Sequence, residues 1–395
     1  MERRTIGIGV IGMGWMGNVH TRAYLQAADR FPEAGLAPRL VICADEVAAR
    51  AEDARAHFGF ERSTARWQDA LADPAVEAVD IATSNDSHHE IAVAAARAGK
   101  HIYCEKPVGR GPGETAEIER AAREAGVMTF VGYNYRWAPL VQYARQLIQQ
   151  GELGRLMNYC GRFFVGYASS PYAVLSWRFL RDRAGWGALG DLMSHVADNA
   201  LMMMGPIRRA VSAQATFIRE RPLGVPGSGT HFTLRTEGPT GAVENEDYAG
   251  GMVEFANGAL GTLEVSRVID GPKCEMAFEV YGTHGALRWN FERMNELELF
   301  SAGAPGASVG RSGYTRILSG PEHPFHANFN PGPGVGLGYE DLKTVEAHQF
   351  LKSIAERRQG EPGFREALNV AEVLAAMTRS WESRRWEEPP RLGSR

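Results

Sequence analysis

From residue 5 to residue 133, short apolar runs alternate with stretches whose apolar residues recur at helical spacing. Residues 5–11 are rich in β-branched side chains, and Met16, Val19, Ala23 and Ala27 follow along one helical face. Residues 40–44, 76–83, 101–104 and 127–133 are further strand-like runs, with helical patterns at 47–58, 90–98 and 114–125. Alternation at this pitch predicts βαβ units and a doubly wound parallel sheet covered on both faces. After Tyr133 the pattern changes. Residues 140–149 read as a helix, 156–164 as a strand and 190–204 as another helix. Strands and turns dominate from 210 to 300. Asn257-Gly258 separates the apolar runs 251–255 and 259–265, a strong hairpin signal, and a second hairpin turns at 283–285. Residues 301–338 are rich in Gly, Pro and Ser and read as a long loop, whereas 341–357 and 365–384 read as helices. The expected organisation is an α/β domain over 1–133 and an α+β domain over 134–386. The second has a mainly antiparallel open sheet with helices on one face, and residues 387–395 form a flexible tail.

The length of 395 residues agrees with two domains. Lys+Arg 43 against Asp+Glu 47 gives −4, with the basic residues scattered, which argues against a nucleic-acid or anionic-membrane surface. An apolar content of 44% with 23% charged residues excludes a disordered chain. No apolar run is long enough to span a bilayer. Glycines interrupt the first apolar run, and no small-residue cleavage site follows it, so it is not a secretory signal. Cys43, Cys104, Cys160 and Cys274 show neither CxxC nor Cys/His spacing. They read as reduced core thiols of a cytoplasmic protein, with no metal site.

GxGxxG occurs three times, starting at Gly7, Gly12 and Gly185. The chemistry requires a strand before the motif and a helix opening inside it. One glycine permits the turn, the next admits a pyrophosphate, and the helix N-terminus supplies N–H donors. The copy at Gly7 lies within the first strand, and the copy at Gly185 follows no strand. Only Gly12-Met-Gly14-Trp-Met-Gly17 has both flanks, which places Trp15 and Met16 in a dinucleotide-binding turn. Asp45 ends the second strand and is placed to accept hydrogen bonds from an adenosine ribose; it would repel a 2′-phosphate. Its distance from Gly17 is explained by a longer loop over 31–38. NAD is favoured over NADP, and Arg50 lies too far along the helix to be an obvious phosphate clamp.

Hydride transfer needs a proton acceptor and a group that stabilises a developing oxyanion. Glu105-Lys106-Pro107 follows the strand at 101–104, at the sheet end where ligands bind. Asp191, His195 and Asp198 are spaced i, i+4, i+7 and fall on one face of an otherwise apolar helix. A carboxylate one turn from an imidazole would orient it and raise its basicity. A buried Asp–His brace fits the same spacing.

These pieces resemble the Gfo/Idh/MocA oxidoreductases, which include inositol dehydrogenases and glucose–fructose oxidoreductase. The resemblance covers nearly the whole chain. It rests on Gly12 to Gly17, Ala82-Thr83-Ser84-Asn85 with His88, the run from Gly99 to Glu105-Lys106-Pro107, and Gly190-Asp191 through His195 to Asp198. It implies a Rossmann N-terminal domain and an active group of Lys106, Asp191 and His195. His195 would be the general base, Asp191 would orient it or hold a substrate hydroxyl, and Lys106 would bond the reacting oxygen and nicotinamide ribose. Glu105 would meet a cofactor ribose, with Thr83, Asn85, His88, Asn134, Trp177 and Arg178 completing the cofactor groove. A cis peptide before Pro107 is common in the family. Ser84 replaces a usual proline, which puts the rigidity of that turn in question.

The C-terminal pattern resembles the inositol and levoglucosan dehydrogenase-like branch. Tyr135, Arg136, Tyr167, Asp191, His195 and Asp198 would contact a polyhydroxylated ring, since aromatic faces cover ring C–H groups and polar side chains fork hydroxyls. The expected reaction is NAD-dependent oxidation of a ring carbinol in a cyclitol, pyranose or anhydrosugar. The alternatives are glycoside cleavage through transient oxidation, and a non-catalytic NAD-binding regulator. An open sheet face implies a homodimer or homotetramer.

Overall fold

The computed structural model describes residues 4–224, 232–301 and 312–392. Six parallel strands build the N-terminal sheet: β1 Arg4–Ile11, β2 Leu36–Ala44, β3 Arg62–Thr64, β4 Ala78–Ile81, β5 His101–Cys104 and β6 Thr129–Val131. Their order is β3-β2-β1-β4-β5-β6, so connections reverse direction between β1 and β4. In open sheets of this kind ligands bind beyond the C-terminal strand ends at such a switch point. Helices α1 Trp15–Arg30, α2 Ala48–Phe58, α3 Trp67–Ala72, α4 Asn85–Arg97 and α5 Pro112–Ala125 cover the sheet.

The sequence outline did not anticipate β3 and α3. Arg62–Thr64 is polar and too short to show a period, and it is ordered by pairing with residues 42–44. β2 begins at Leu36 rather than residue 40, which shortens the expected loop. Pro38 is tolerated because it lies outside the stretch that β3 pairs.

Helix α6 Pro139–Gln149 leads into the second domain, where β7 Leu156–Phe164 lies inside an eight-stranded sheet. After α7 Arg181–Ala184, a π-helical turn at Leu189–Met193 continues into α8 Ser194–Met204. The sheet also contains β8 Ile207–Ala215, β11 Tyr248–Phe255, β12 Leu260–Ser266, β13 Glu275–Gly282, β14 Gly285–Asn290, β15 Glu296–Ser301 and β16 Thr315–Leu318. β9 Glu220–Pro222 and β10 Thr240–Ala242 pair separately. The order is β16-β15-β14-β13-β7-β12-β11-β8, antiparallel throughout except between β7 and β12. In β7, Tyr159, Gly161 and Phe163 are buried and their neighbours face the other way. α8 packs on β7, and the last helix packs on β8, while Met252 and Leu260 on the opposite face are exposed among the described residues. Both expected hairpins are present. At the first, Gly258 takes φ +84° and Asn257 Oδ1 accepts from the Ala259 N–H at 3.0 Å.

Helices α9 Tyr339–Glu356 and α10 Phe364–Ser383 return to the N-terminal domain and pack against α1 and α5. The expected loop 301–338 contains β16, which pairs with β15; its residues 302–311 lie outside the described residues. The expected flexible tail, 387–395, has partners over its described part, and residues 393–395 lie outside the described residues. Glu387 exchanges backbone hydrogen bonds of 2.8 and 2.9 Å with Ala210 on the edge strand β8, and Leu392 N donates to Glu372 at 2.5 Å. Pairing with an exposed strand edge pins this segment.

Candidate active site

β1 ends at Ile11 and α1 starts at Trp15, so the turn between them carries the glycine motif. Gly12 has φ +94°, and a Cβ there would sit 2.7 Å from the Ala82 carbonyl oxygen. A Cβ on Gly17 would come within 1.9 Å of Gly12 O, which locks helix to strand. A Cβ on Gly14 would instead meet nothing within 4 Å. That open space faces the first turn of α1, which has neither a side-chain cap nor an acidic residue. The cradle therefore fits a dinucleotide pyrophosphate. Trp15 stands over it, 61% exposed, and stacks on Tyr339 at 5.8 Å; Tyr339 also reaches Met16 Sδ at 3.8 Å.

Asp45 lies at the end of β2, as required for an adenosine ribose. Its carboxylate accepts from Met13 N at 2.8 Å and Val47 N at 2.9 Å. Arg50 is closer than expected, donating to both Asp45 oxygens at 3.1 and 3.2 Å. One helical turn brings Arg50 back over the carboxylate. At the neighbouring strand end, Ser84 keeps its turn without a proline. Ser87 bonds Thr83 Oγ1 at 2.7 Å and Ser84 O at 2.9 Å. Asn85 donates to Ala184 O at 3.0 Å, joining this turn to the second domain.

The two parts of the expected active group meet between the domains. Lys106 Nζ donates to Asp191 Oδ1 at 2.8 Å and to Asp191 O at 2.9 Å, and Tyr167 OH donates to Asp191 Oδ2 at 2.9 Å. The Lys106–Pro107 peptide is cis. Burial opposes charge on Asp191, but the Lys106 ammonium, and then Arg178, hold its carboxyl well below the usual range. His195 is buried against Tyr135, whose ring centroid lies 4.8 Å away, and against Tyr133 and Phe163. Burial first, and the Lys106 ammonium second, push the imidazole well below its ordinary value, so it is neutral near pH 7. His195 Nδ1 has no hydrogen-bond partner among the described residues.

Several sequence assignments change role. Asp191 does not hydrogen-bond His195. The π-helical turn alters the regular i, i+4 spacing, and the carboxylate goes to Lys106 and Tyr167. Asp198 and Arg136, expected on substrate, form a buried bidentate ion pair; the Nε–Oδ2 arm is 2.9 Å. His88 braces two loops through Pro107 O at 2.9 Å and Thr83 O at 3.2 Å. Tyr135 is buried with its hydroxyl 3.5 Å from Cys274 Sγ. Arg178 lies over the Trp177 ring at 4.4 Å, and Asn134 Nδ2 is buried without a partner among the described residues.

Glu105 was expected on a cofactor ribose, yet its carboxylate belongs to a buried network. Oε1 takes His20 Nε2 at 3.0 Å and Lys343 Nζ at 2.6 Å, and Oε2 accepts from Lys106 N at 3.2 Å. His20 Nδ1 faces Asp80 at 2.8 Å, and Tyr24 OH donates to Asp80 at 3.0 Å. Sequence reading missed His20 and Lys343; the available signal was a charged residue on a helix face otherwise apolar. Burial opposes charge on His20, but Asp80 outweighs it and the imidazole is pushed up to about 9. A raised value in the folded state stabilises fully below the ordinary pKa near 6.5 and is lost as pH rises through 9. Unfolding free energy from urea titration should therefore fall by on the order of 3 kcal/mol between pH 6.5 and about 9.5, a slope that His20→Asn should flatten.

The fold, the cradle and the ionisable group beside it define an NAD-dependent oxidoreductase. The chain belongs to the Gfo/Idh/MocA family: residues 6–133 match the oxidoreductase family's NAD-binding Rossmann fold, and 141–288 match its C-terminal domain. It is 37% identical to levoglucosan dehydrogenase of Pseudarthrobacter phenanthrenivorans, covering 99% of this chain and all of that protein. A solved levoglucosan dehydrogenase in complex with NADH and levoglucosan superposes with a TM-score of 0.92 at 35% identity, over 98% of this chain and 100% of that one. Inositol 2-dehydrogenase of Rhizobium meliloti is 25% identical over 90% of this chain and 98% of its own length.

Proposed function

We propose that this protein oxidises a secondary ring hydroxyl of an anhydrosugar to a ketone, with levoglucosan as the first candidate among anhydrosugars, pyranoses and cyclitols. The observation that carries this reading is the Lys106–Asp191 contact beside a buried, neutral His195 at the mouth of the dinucleotide cradle. Similarity along the full chain to levoglucosan dehydrogenase supports the substrate class.

Bound NAD supplies the hydride acceptor. Gly12, Gly14 and Gly17 with the α1 N-terminus would hold the pyrophosphate, and Asp45 would meet the adenosine ribose. His195 accepts the hydroxyl proton, for which its neutral state is required. Lys106 donates a hydrogen bond to the same oxygen and stabilises the negative charge that grows there. Asp191 fixes the Lys106 ammonium, and Tyr167 fixes Asp191. Trp15 and Tyr167 offer aromatic surface to ring C–H groups.

The test is a panel of levoglucosan, aldoses, inositols and glycosides with NAD or NADP, followed for NADH and for released aglycone. Levoglucosan with NAD should give the highest kcat/KM. Aglycone release without net NADH would replace this reading with oxidative glycoside cleavage, and absence of NADH from every ring polyol would overturn it. We further propose a cytoplasmic setting, supported by four unpaired cysteines, and a homodimer or homotetramer built on the open sheet face, where Met252 and Leu260 are exposed. A monomer in light scattering would refute that assembly.

A further inference from the structure

Helix α9 buries Leu342, Val345 and Phe350 against the N-terminal domain, and Lys343 and Glu346 interrupt this apolar face. Lys343 is 1% exposed. Its ammonium lies 2.6 Å from Glu105 Oε1 and 2.8 Å from Glu346 Oε2, and Tyr103 OH donates to the same Glu346 oxygen at 2.6 Å. Packing does not call for these charges. Apolar groups of equal volume commonly serve a core as well as a buried ion pair, or better. The location is informative instead. Glu105 immediately precedes Lys106, and its other oxygen accepts from the Lys106 backbone N–H. A side chain 238 residues away thus grips the carboxylate that seats the reactive lysine.

We propose that Lys343 is a positioning residue for the oxidation: through Glu105 it seats the Lys106 loop and sets the balance of charge around His195. The inference rests on His195 being the proton acceptor. The charged groups around that imidazole are Lys106 and Glu105 at the end of β5, Asp191 in the preceding π-helical turn, and Lys343 on α9. Tyr133, Tyr135 and Phe163 cover its ring. Lys106 and Lys343 disfavour its protonation, and Glu105 and Asp191 favour it. Removing Lys343 takes one cation out of this set, whose remaining neighbours include His20 on Glu105 and Arg178 beside Asp191, so the imidazole becomes more basic.

The experiment compares the parent protein, Lys343→Met and Lys343→Arg in two ways. The first is the pH profile of kcat/KM on whichever panel polyol the parent oxidises. The second is NMR titration of imidazole nitrogens in the cofactor-free full chain, with His195 assigned through His195→Asn. In Lys343→Met the acid limb and the His195 midpoint should both rise by about one pH unit, the size of a nearby charge's effect. In Lys343→Arg both should stay at the parent value. If Lys343→Met does not fold, Lys343→Gln, which removes the same single charge but keeps a hydrogen-bond donor for Glu105, gives the same comparison. A folded variant with neither value moved overturns the proposal. The NMR titration needs no substrate, so failure of the levoglucosan assignment would not be mistaken for failure of this one.

Discussion

Replacing His195 with alanine should lower kcat by about 10²–10⁴-fold while NAD affinity stays at the parent value. Gly12, Gly14, Gly17 and the N-terminus of α1 build the pyrophosphate cradle, so the loss of His195 removes no group from it. It lies in an aromatic enclosure with Lys106 close enough to depress its protonation, and so arrives neutral at the start of each turnover. Without it, the hydroxyl proton has no acceptor, and Lys106, already positively charged and held by Asp191, cannot take that part. Steady-state NADH production and a fluorescence titration of NADH binding measure the two quantities separately. Unchanged turnover would remove His195 from the reaction.

Asp198→Ala should reduce stability by about 3–5 kcal/mol, because it strands a buried guanidinium. Arg136 and Asp198 are both nearly inaccessible, and the carboxylate accepts from Nε and Nη2 of its partner. Arg136→Met/Asp198→Ala removes both charges and should recover much of that loss. Denaturant titration of the two variants checks this. If Asp198 contacted substrate directly, the single variant would raise KM with stability unchanged.

That pair shows how far sequence reasoning reached. The i, i+4, i+7 spacing of Asp191, His195 and Asp198 correctly marked a helix whose polar residues were exceptional. It could not assign partners to them. The π-helical turn at Leu189–Met193 directs Asp191 to Lys106 and Tyr167, and Asp198 finds Arg136 from a separate segment. Likewise, Glu105 was legible as part of a strand-end motif, whereas its partners come from α1 and α9. The polar strand β3 escaped notice because three residues carry no period and the neighbouring strand supplies its order.

By itself, the sequence determined the features set by local rules. These were the parallel α/β half, the glycine turn that opens α1, the strand-end Lys106 and the Asn257-Gly258 hairpin. Backbone sterics and hydrophobic period act over a few residues and are written in them. Tertiary structure decided which charges meet. A buried ammonium or carboxylate must find a counter-charge wherever the folded chain provides one, so Lys343 meets Glu105, Arg136 meets Asp198 and Lys106 meets Asp191 across separations that no local pattern encodes.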